Sequence, residues 1–284
     1  MTVARSAPAS PDSLVTGHRV RRIVLEQSKR AGVGHIGSAL SVADVVAALY
    51  GGGLRVTWPR DPERDRFVLG KGHAVLAVYA ALFLRGWLSQ DQLDAYCGDN
   101  SLLGVHPERD LGGIDFSTGS LGHGLALGVG AALAARLDGS PRRVFVLVSD
   151  AECNEGSVWE SAMFAAHHRL GRLTAIVDRN GQQALGKTDD VLSLTPLVDR
   201  WRAFGWDAHD VDGHDPDALL ASFAADTPDP GPPRVLVART VFGKGVSFME
   251  GQLKWHYWPM SDDEYRQAIA DVDRAACAAP SFAR

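Results

Sequence analysis

Two short runs of β-branched and apolar residues, separated by a segment of helix length, constrain the fold most strongly. Residues 143–148 and 173–178 are apolar on both faces, as expected of strands buried on both sides of a sheet. A third strand is predicted to end at Val211, and a fourth to cover 233–240. Strands that alternate with helices in this way predict an α/β fold, with a doubly wound, mostly parallel sheet flanked by helices.

Apolar residues at helical spacing predict the helices that flank this sheet. The predicted helices cover 13–31, 41–50, 74–85, 121–137, 155–170 and 262–275, and a loop covers 32–38. A further helix begins with Asp215 as its N-cap and Pro216 at its first helical position. We therefore expect one domain over 13–284, preceded by a flexible, polar, proline-containing tail over 1–12.

The composition excludes several classes of function. The 284-residue chain is 45% hydrophobic, enough for a large core. Its net charge of −5 and the lack of a basic stripe argue against nucleic-acid binding. No run reaches the ~20 apolar residues of a membrane span, so we expect no membrane association. Cys97, Cys153 and Cys277 form no CxxC pair and the N-terminus lacks an apolar signal segment, so we expect a cytoplasmic protein.

Polar residues follow two of the predicted strands at the point where each strand ends. Asp150 follows the first strand and Asn180 follows the second. Ligands bind at the carboxyl ends of parallel strands, and carboxylate, amide and carbonyl oxygens suit Mg²⁺. Taken singly, Asp150 and Asn154 could cap a helix, and Asn180-Gly181 could form a turn. Their occurrence at successive strand ends favours a metal site beside a diphosphate-binding helix N-terminus.

Around these strand ends, the sequence resembles thiamine-diphosphate enzymes, and transketolase in particular. Asp150, Asn154-Glu155-Gly156 and Asn180 are similar to the Gly-Asp-Gly…Asn cofactor signature. Five further segments resemble transketolase motifs, in the right order: Gly34-His35-Ile36-Gly37-Ser38, Lys71-Gly72-His73-Ala74, Val105-His106-Pro107-Glu108, Thr118-Gly119-Ser120-Leu121-Gly122-His123-Gly124, and Phe242-Gly243-Lys244-Gly245 followed by Trp255-His256. The resemblance implies a thiamine-diphosphate-binding fold and a transferase that moves a two-carbon ketol unit from a ketose to an acceptor.

The resemblance also implies roles for individual residues. Asp150, Asn180 and the Gln182 carbonyl would hold Mg²⁺, or Ca²⁺ or Mn²⁺ in its place. The implied cofactor-binding residues are His73, Gly119, Ser120, Leu121, Asp150, Ala151, Glu152, Asn180 and Gln182. The implied catalytic residues are His35, His73, His106 and His256 around the thiazolium and the substrate, and Glu155 and Glu160 near a dimer interface.

Three features depart from the family pattern. Ala151 stands where the family has glycine, and alanine would weaken cofactor binding if the position needs a positive φ or a very close phosphate. Tyr257-Trp258 follow His256 in place of glycine, which suggests an altered substrate mouth. A complete transketolase has further domains that supply a glutamate and an aromatic ring to the cofactor. The resemblance is therefore to the N-terminal subunit of a split transketolase, paired with a C-terminal subunit in an α2β2 heterotetramer that acts on ketose and aldose phosphates.

Three alternatives are weighed against this interpretation. A two-carbon transferase with a lipoyl or carrier-protein acceptor would keep the cofactor and explain Tyr257-Trp258. A non-catalytic scaffolding subunit would explain Ala151. A dinucleotide-dependent oxidoreductase is suggested by Gly122-His123-Gly124, but the sequence before this segment does not predict a strand.

Overall fold

A parallel sheet forms the centre of the molecule. The computed structural model describes residues 15–225 and 227–278, so the predicted tail over 1–12 lies outside the described residues. The strands are β1 Arg66–Leu69, β2 Val144–Ser149, β3 Leu173–Arg179, β4 Gln182–Gln183, β5 Gly186–Lys187, β6 Asp207–Asp212 and β7 Arg234–Arg239. In the main sheet the order is β1-β2-β3-β7-β6, with all neighbours parallel, while β4 and β5 form a separate antiparallel hairpin.

Helices cover both faces of this sheet. Their bounds are α1 Gly17–Ala31, α2 Ile36–Ser41, α3 Ala43–Ala48, α4 Val75–Leu84, α5 Gln90–Asp94, α6 His123–Leu137, α7 Gly156–His167, α8 Thr188–Leu192, α9 Leu197–Ala203, α10 Pro216–Ala224, α11 Lys254–Tyr257 and α12 Asp262–Ala278. No helix within 15–225 or 227–278 combines the length and apolarity needed to cross a membrane.

The alternation of side chains along β2 divides the core into two layers. Phe145 and Leu147 point into a cluster that contains buried residues of α1, α3, α4 and α10. Val144, Val146 and Val148 point into a second cluster with residues of α6, α7 and α9. Helix α6 packs closely on the second face because Gly128 has no side chain: a Cβ there would lie 2.2 Å from the Val146 Cγ2. The doubly wound α/β prediction is therefore confirmed.

The sequence prediction differs from the structure in three places. Residues 66–69 form edge strand β1, although the sequence was interpreted only as a short apolar run. The predicted loop over 32–38 and helix over 41–50 were wrong, because α2 already begins at Ile36 and α3 ends at Ala48. The cause lies in His35, whose left-handed φ of 60° turns the chain directly into α2. At α10 the prediction is confirmed, since the Asp215 side chain accepts from the Asp217 and Ala218 N–H groups.

Candidate active site

The parallel register brings the two predicted strand ends together. Ser149 lies opposite Asp178, so Asp150 and Asn180 extend from neighbouring strands at the carboxyl edge of the sheet. The Gly181 N–H donates to Asp150 Oδ2 at 2.8 Å, and the Ala151 N–H donates to Oδ1 at 2.8 Å. Both Asp150 and Asn180 line a cavity of about 260 Å³. This part of the site therefore presents carboxylate and amide oxygens to a common space.

Asp178 orients Asn180 from the buried end of β3. The Asn180 Nδ2 donates to Asp178 Oδ2 at 2.7 Å, which leaves the Asn180 Oδ1 as the amide's acceptor. That oxygen accepts the Gln182 N–H at 2.9 Å and retains a second lone pair. Ser41 Oγ donates to Asp178 at 2.8 Å, and Thr240 also donates to it. Asp178 thus fixes the amide in one orientation, as a supporting carboxylate does at a metal site.

Lys71 pairs with Asp178 beneath the site. Both side chains are 0% exposed, and the Lys71 Nζ also donates to the Ser38 Oγ at 3.0 Å. Because an ammonium group is only a donor, the Ser38 hydroxyl accepts from Lys71 and its own proton is free. The Ser38 Oγ lies 3.0 Å from His73 Nε2, so this proton is donated to the ring and the ring proton lies on Nδ1. The buried pair therefore sets the tautomer of His73.

Three of the four predicted histidines form one cluster. The ring centroids of His35, His73 and His256 lie 5.3–5.4 Å apart. The loop after β7 supports the cluster, because Phe242 stacks on His256 at 6.1 Å. The Nδ1 atoms of His35 and His256 are buried and have no hydrogen-bond partner among the described residues. Such groups need a polar partner, so the cluster is suited to a polar ligand.

The fourth histidine lies against the glycines of two motifs. A Cβ on Gly72 would approach the His106 Cδ2 to 3.0 Å, and one on Gly119 to 3.1 Å. The Tyr79 hydroxyl donates to the His106 carbonyl at 3.1 Å and holds its backbone. The structure therefore places His106 between the 72–74 turn and the predicted cofactor turn at 119–121.

Burial keeps the clustered histidines neutral. Burial lowers the pKa of His73 well below its usual value, and the positive charge of Lys71 adds to the effect. Burial, with His35 and Lys71 nearby, lowers the pKa of His256 to about 4. The pKa of His35 is also lowered, by burial and by His106. At neutral pH these rings therefore act as hydrogen-bond donors and acceptors rather than as cations.

The two acidic residues of the strand-end segment lie in different environments. Burial and the Asp178 carboxylate raise the pKa of Asp150 to about 6. Glu152 is fully buried, and its pKa is raised by burial to about 7. Its carboxylate accepts the Gly122 N–H at 2.9 Å, so Glu152 holds the turn that carries Gly119, Ser120 and Leu121. Ala151 has φ −61° and ψ −40°, so alanine fits this position without backbone strain.

Glu155 and Glu160 lie on the surface, at the start of α7 and on its outer face. Neither carboxylate has a hydrogen-bond partner among the described residues. Large apolar side chains are exposed beside them on α7 and at the end of α6: Met163 at 54%, Phe164 at 42% and Leu137 at 79%. The two helices pack against each other, so they present one continuous, partly apolar face.

The donor set fits a divalent cation and an anionic cofactor. A carboxylate and an oriented amide oxygen suit Mg²⁺, and the buried Nδ1 atoms of His35 and His256 leave polar groups for a ligand to satisfy. Sequence reasoning missed Asp178 and the pairing of Lys71 with it. Asp178 was assigned only to strand β3, although a carboxylate at the end of a buried strand, two residues before Asn180, is a signal that could have identified it.

Comparison with known proteins agrees with this geometry. A family model described as the thiamine diphosphate binding domain of transketolase matches residues 14–273. One of the two apulose-4-phosphate transketolase chains of Phocaeicola vulgatus, named as a subunit, is 40% identical over 255 residues, covering 89% of this chain and 90% of that protein. The 6-deoxy-6-sulfo-D-fructose transketolase subunit SqwG of a Clostridium species is 39% identical over 258 residues, covering 90% and 94%.

The fold also matches a solved transketolase. The Campylobacter jejuni enzyme superposes with a TM-score of 0.82 at 25% identity, covering 94% of this chain and 43% of that one. The chain thus spans less than half of the length of that solved enzyme. The chain belongs to the transketolase family of transferases and contains its thiamine diphosphate binding domain.

Proposed function

We propose that this chain is the diphosphate-binding, N-terminal subunit of a two-chain transketolase. In this function it transfers a two-carbon ketol unit from a ketose to an aldehyde acceptor, with thiamine diphosphate and Mg²⁺. One observation carries the proposal: the strand ends with Asp150 and Asn180 lie at the carboxyl edge of the sheet, and Lys71 links their support, Asp178, to the histidine cluster.

The cofactor would be held across this edge. Asp150, Asn180 and the Gln182 carbonyl would bind the cation, which neutralises the Asp150 carboxylate and the diphosphate. The backbone of 119–121, with Ala151, Glu152 and His73, would complete the cofactor pocket. Bound thiamine diphosphate supplies the carbanion chemistry, while the protein positions and tunes it.

The histidines would act on the substrate. His35, His106 and His256 would accept and donate protons at the substrate hydroxyls and carbonyl oxygen. Their low proton affinity supports this role, because burial lowers the pKa values of His35 and His256. Neutral rings can relay a proton without bringing a buried positive charge to a cationic cofactor.

A second protein chain would cover the exposed face of α6 and α7. The relatives from Phocaeicola vulgatus and Clostridium are both named as subunits, and an exposed face with Met163 and Phe164 suits a protein contact. Glu155 and Glu160 lie on that face and would couple two sites across the interface. We propose that the partner is a C-terminal, pyrimidine-binding subunit, in an α2β2 assembly located in the cytoplasm.

The substrates would be a ketose or ketose phosphate as donor and an aldose phosphate as acceptor. The second candidate function, transfer to a lipoyl or carrier-protein acceptor, is favoured by one observation. Tyr257 and Trp258 are 54% and 63% exposed beside His256, so the mouth of the site carries aromatic surface. A protein-bound acceptor could use that surface.

A transfer assay tests the proposal. The full chain, co-expressed with a candidate C-terminal subunit, is given ketose donors and either aldose, lipoyl or carrier-protein acceptors, with Mg²⁺ or EDTA. We expect Mg²⁺-dependent aldose extension, lost in Asp150→Asn and retained in Asp189→Asn, whose carboxylate lines the same cavity. Transfer only to lipoyl or carrier acceptors would establish the second candidate. An intact complex that binds no cofactor and transfers to no acceptor would leave a scaffolding subunit.

A further inference from the structure

Tyr257 connects the two sides of the candidate active site. Its hydroxyl donates to the Ala184 carbonyl at 3.0 Å, in the turn between β4 and β5. Its ring stands 4.8 Å from the His256 ring, in an edge-to-face arrangement. One side chain therefore reaches from the histidine cluster to the hairpin that carries Gln182.

The backbone at Tyr257 is held firmly, so the hydroxyl is presented from a fixed base. The Tyr257 carbonyl lies directly against Gly34, where a Cβ would approach it to 2.3 Å. The His35 N–H donates to the preceding carbonyl, that of His256, at 3.3 Å. The loop before α2 and helix α11 are thereby packed together, and the phenol extends from their junction.

The hairpin itself has little other support. Each of its strands has two residues, and Leu185 at its tip is 78% exposed. At its base the Thr188 N–H donates to the Gly181 carbonyl at 3.0 Å. A two-stranded hairpin of this size is marginally stable alone, so an added tether at Ala184 has a large relative effect on its order.

We propose that Tyr257 is a positioning residue for the cofactor-bound cation. By anchoring the β4–β5 hairpin to the histidine side of the site, it holds the Gln182 carbonyl beside Asp150 and Asn180. The inference rests on the proposed function, since it requires that these residues bind thiamine diphosphate and Mg²⁺. It assigns to Tyr257 a role that acts through the hairpin and not through the substrate.

Tyr257→Phe removes only the hydroxyl, and Trp258→Phe is the matched control. Trp258 is the neighbouring exposed aromatic residue, and its side chain makes no hydrogen bond to any described residue. Two quantities are measured on the full chain co-purified with its candidate partner: thiamine diphosphate binding at fixed Mg²⁺ by calorimetry, and backbone hydrogen exchange over 182–188. Thermal unfolding without cofactor reports general stability.

We expect Tyr257→Phe to weaken cofactor binding about 2- to 10-fold, the equivalent of one hydrogen bond. Exchange over 182–188 should accelerate by a similar factor, the unfolding midpoint should stay the same, and Trp258→Phe should match the wild type. Unchanged binding in Tyr257→Phe, alone or with a lowered midpoint, would overturn this inference and leave the proposed function intact. Absence of binding in the wild-type complex would overturn both.

Discussion

Lys71 and Asp178 form an ion pair that is wholly buried between the histidine cluster and the candidate metal ligands. Both side chains are 0% exposed. Asp178 also accepts from Ser41 and Asn180, and Lys71 also donates to Ser38. Because every one of these neighbours lies in or beside the candidate site, the pair connects the orientation of Asn180 with the tautomer of His73.

The pair should stabilise the fold only while both members are present. Lys71→Met leaves a buried carboxylate without its cation, and such a change costs about 3–5 kcal/mol. Equilibrium urea unfolding measures it, with the exposed pair of Arg202 and Asp199 as control; Arg202→Met should cost less than about 1 kcal/mol. In the double variant Lys71→Met/Asp178→Asn the loss should be smaller than the sum of the single losses. Additive losses would show that the two side chains do not interact.

Helix α6 supplies a matched pair of glycines for a packing test. A Cβ on Gly128 would lie 2.2 Å from Val146, whereas a Cβ on Gly130 meets nothing within 4 Å. Gly128→Ala should therefore destabilise the chain by about 1–3 kcal/mol through overpacking. Gly130→Ala should stabilise it by about 0.5–1 kcal/mol, because alanine favours the helix. Urea unfolding of both variants in the same state of assembly decides the point. Equal effects would contradict the packing of α6 on β2.

The histidine cluster predicts a pH dependence of stability. The pKa of His256 falls from its usual 6.5 to about 4 in the folded chain, so between these values the unfolded state binds more protons. Stability from this group is therefore complete above pH 6.5 and is lost as the pH falls toward 4. His256→Gln should lose less stability between pH 7 and pH 5 than the wild type does.

The control for this prediction is His167→Gln, which removes an exposed histidine on α7. It should leave the wild-type difference between pH 7 and pH 5 unchanged. Urea midpoints at the two pH values give the comparison. If His256→Gln shows the full wild-type loss, His256 is not a buried neutral ring.

The fold and much of the candidate site could be predicted from the sequence, because both follow from local patterns. Buried runs such as 173–178 specify central strands, and the carboxyl edge then brings Asp150 and Asn180 together. Edge strand β1 was not identified, since four residues that begin with Arg66 carry too weak a pattern. The contacts from Lys71 to Asp178 and from Tyr257 to Ala184 join residues 107 and 73 positions apart, so no sequence period indicates them.

Ala151 shows how a departure from a motif can be interpreted from structure. The sequence raised the prospect of a position that only glycine could occupy. The backbone there is right-handed, so the strain argument for a degenerate subunit no longer applies.

The central claim is that the two strand ends anchor thiamine diphosphate through a divalent cation. The most direct measurement is a calorimetric titration of the full chain, co-purified with its candidate partner, with thiamine diphosphate in Mg²⁺ and in EDTA. We expect binding that requires Mg²⁺, is lost in Asp150→Ala and persists in Asp189→Asn. Binding that is unaffected by EDTA or by Asp150→Ala would contradict the claim, as would an intact complex that binds no thiamine diphosphate.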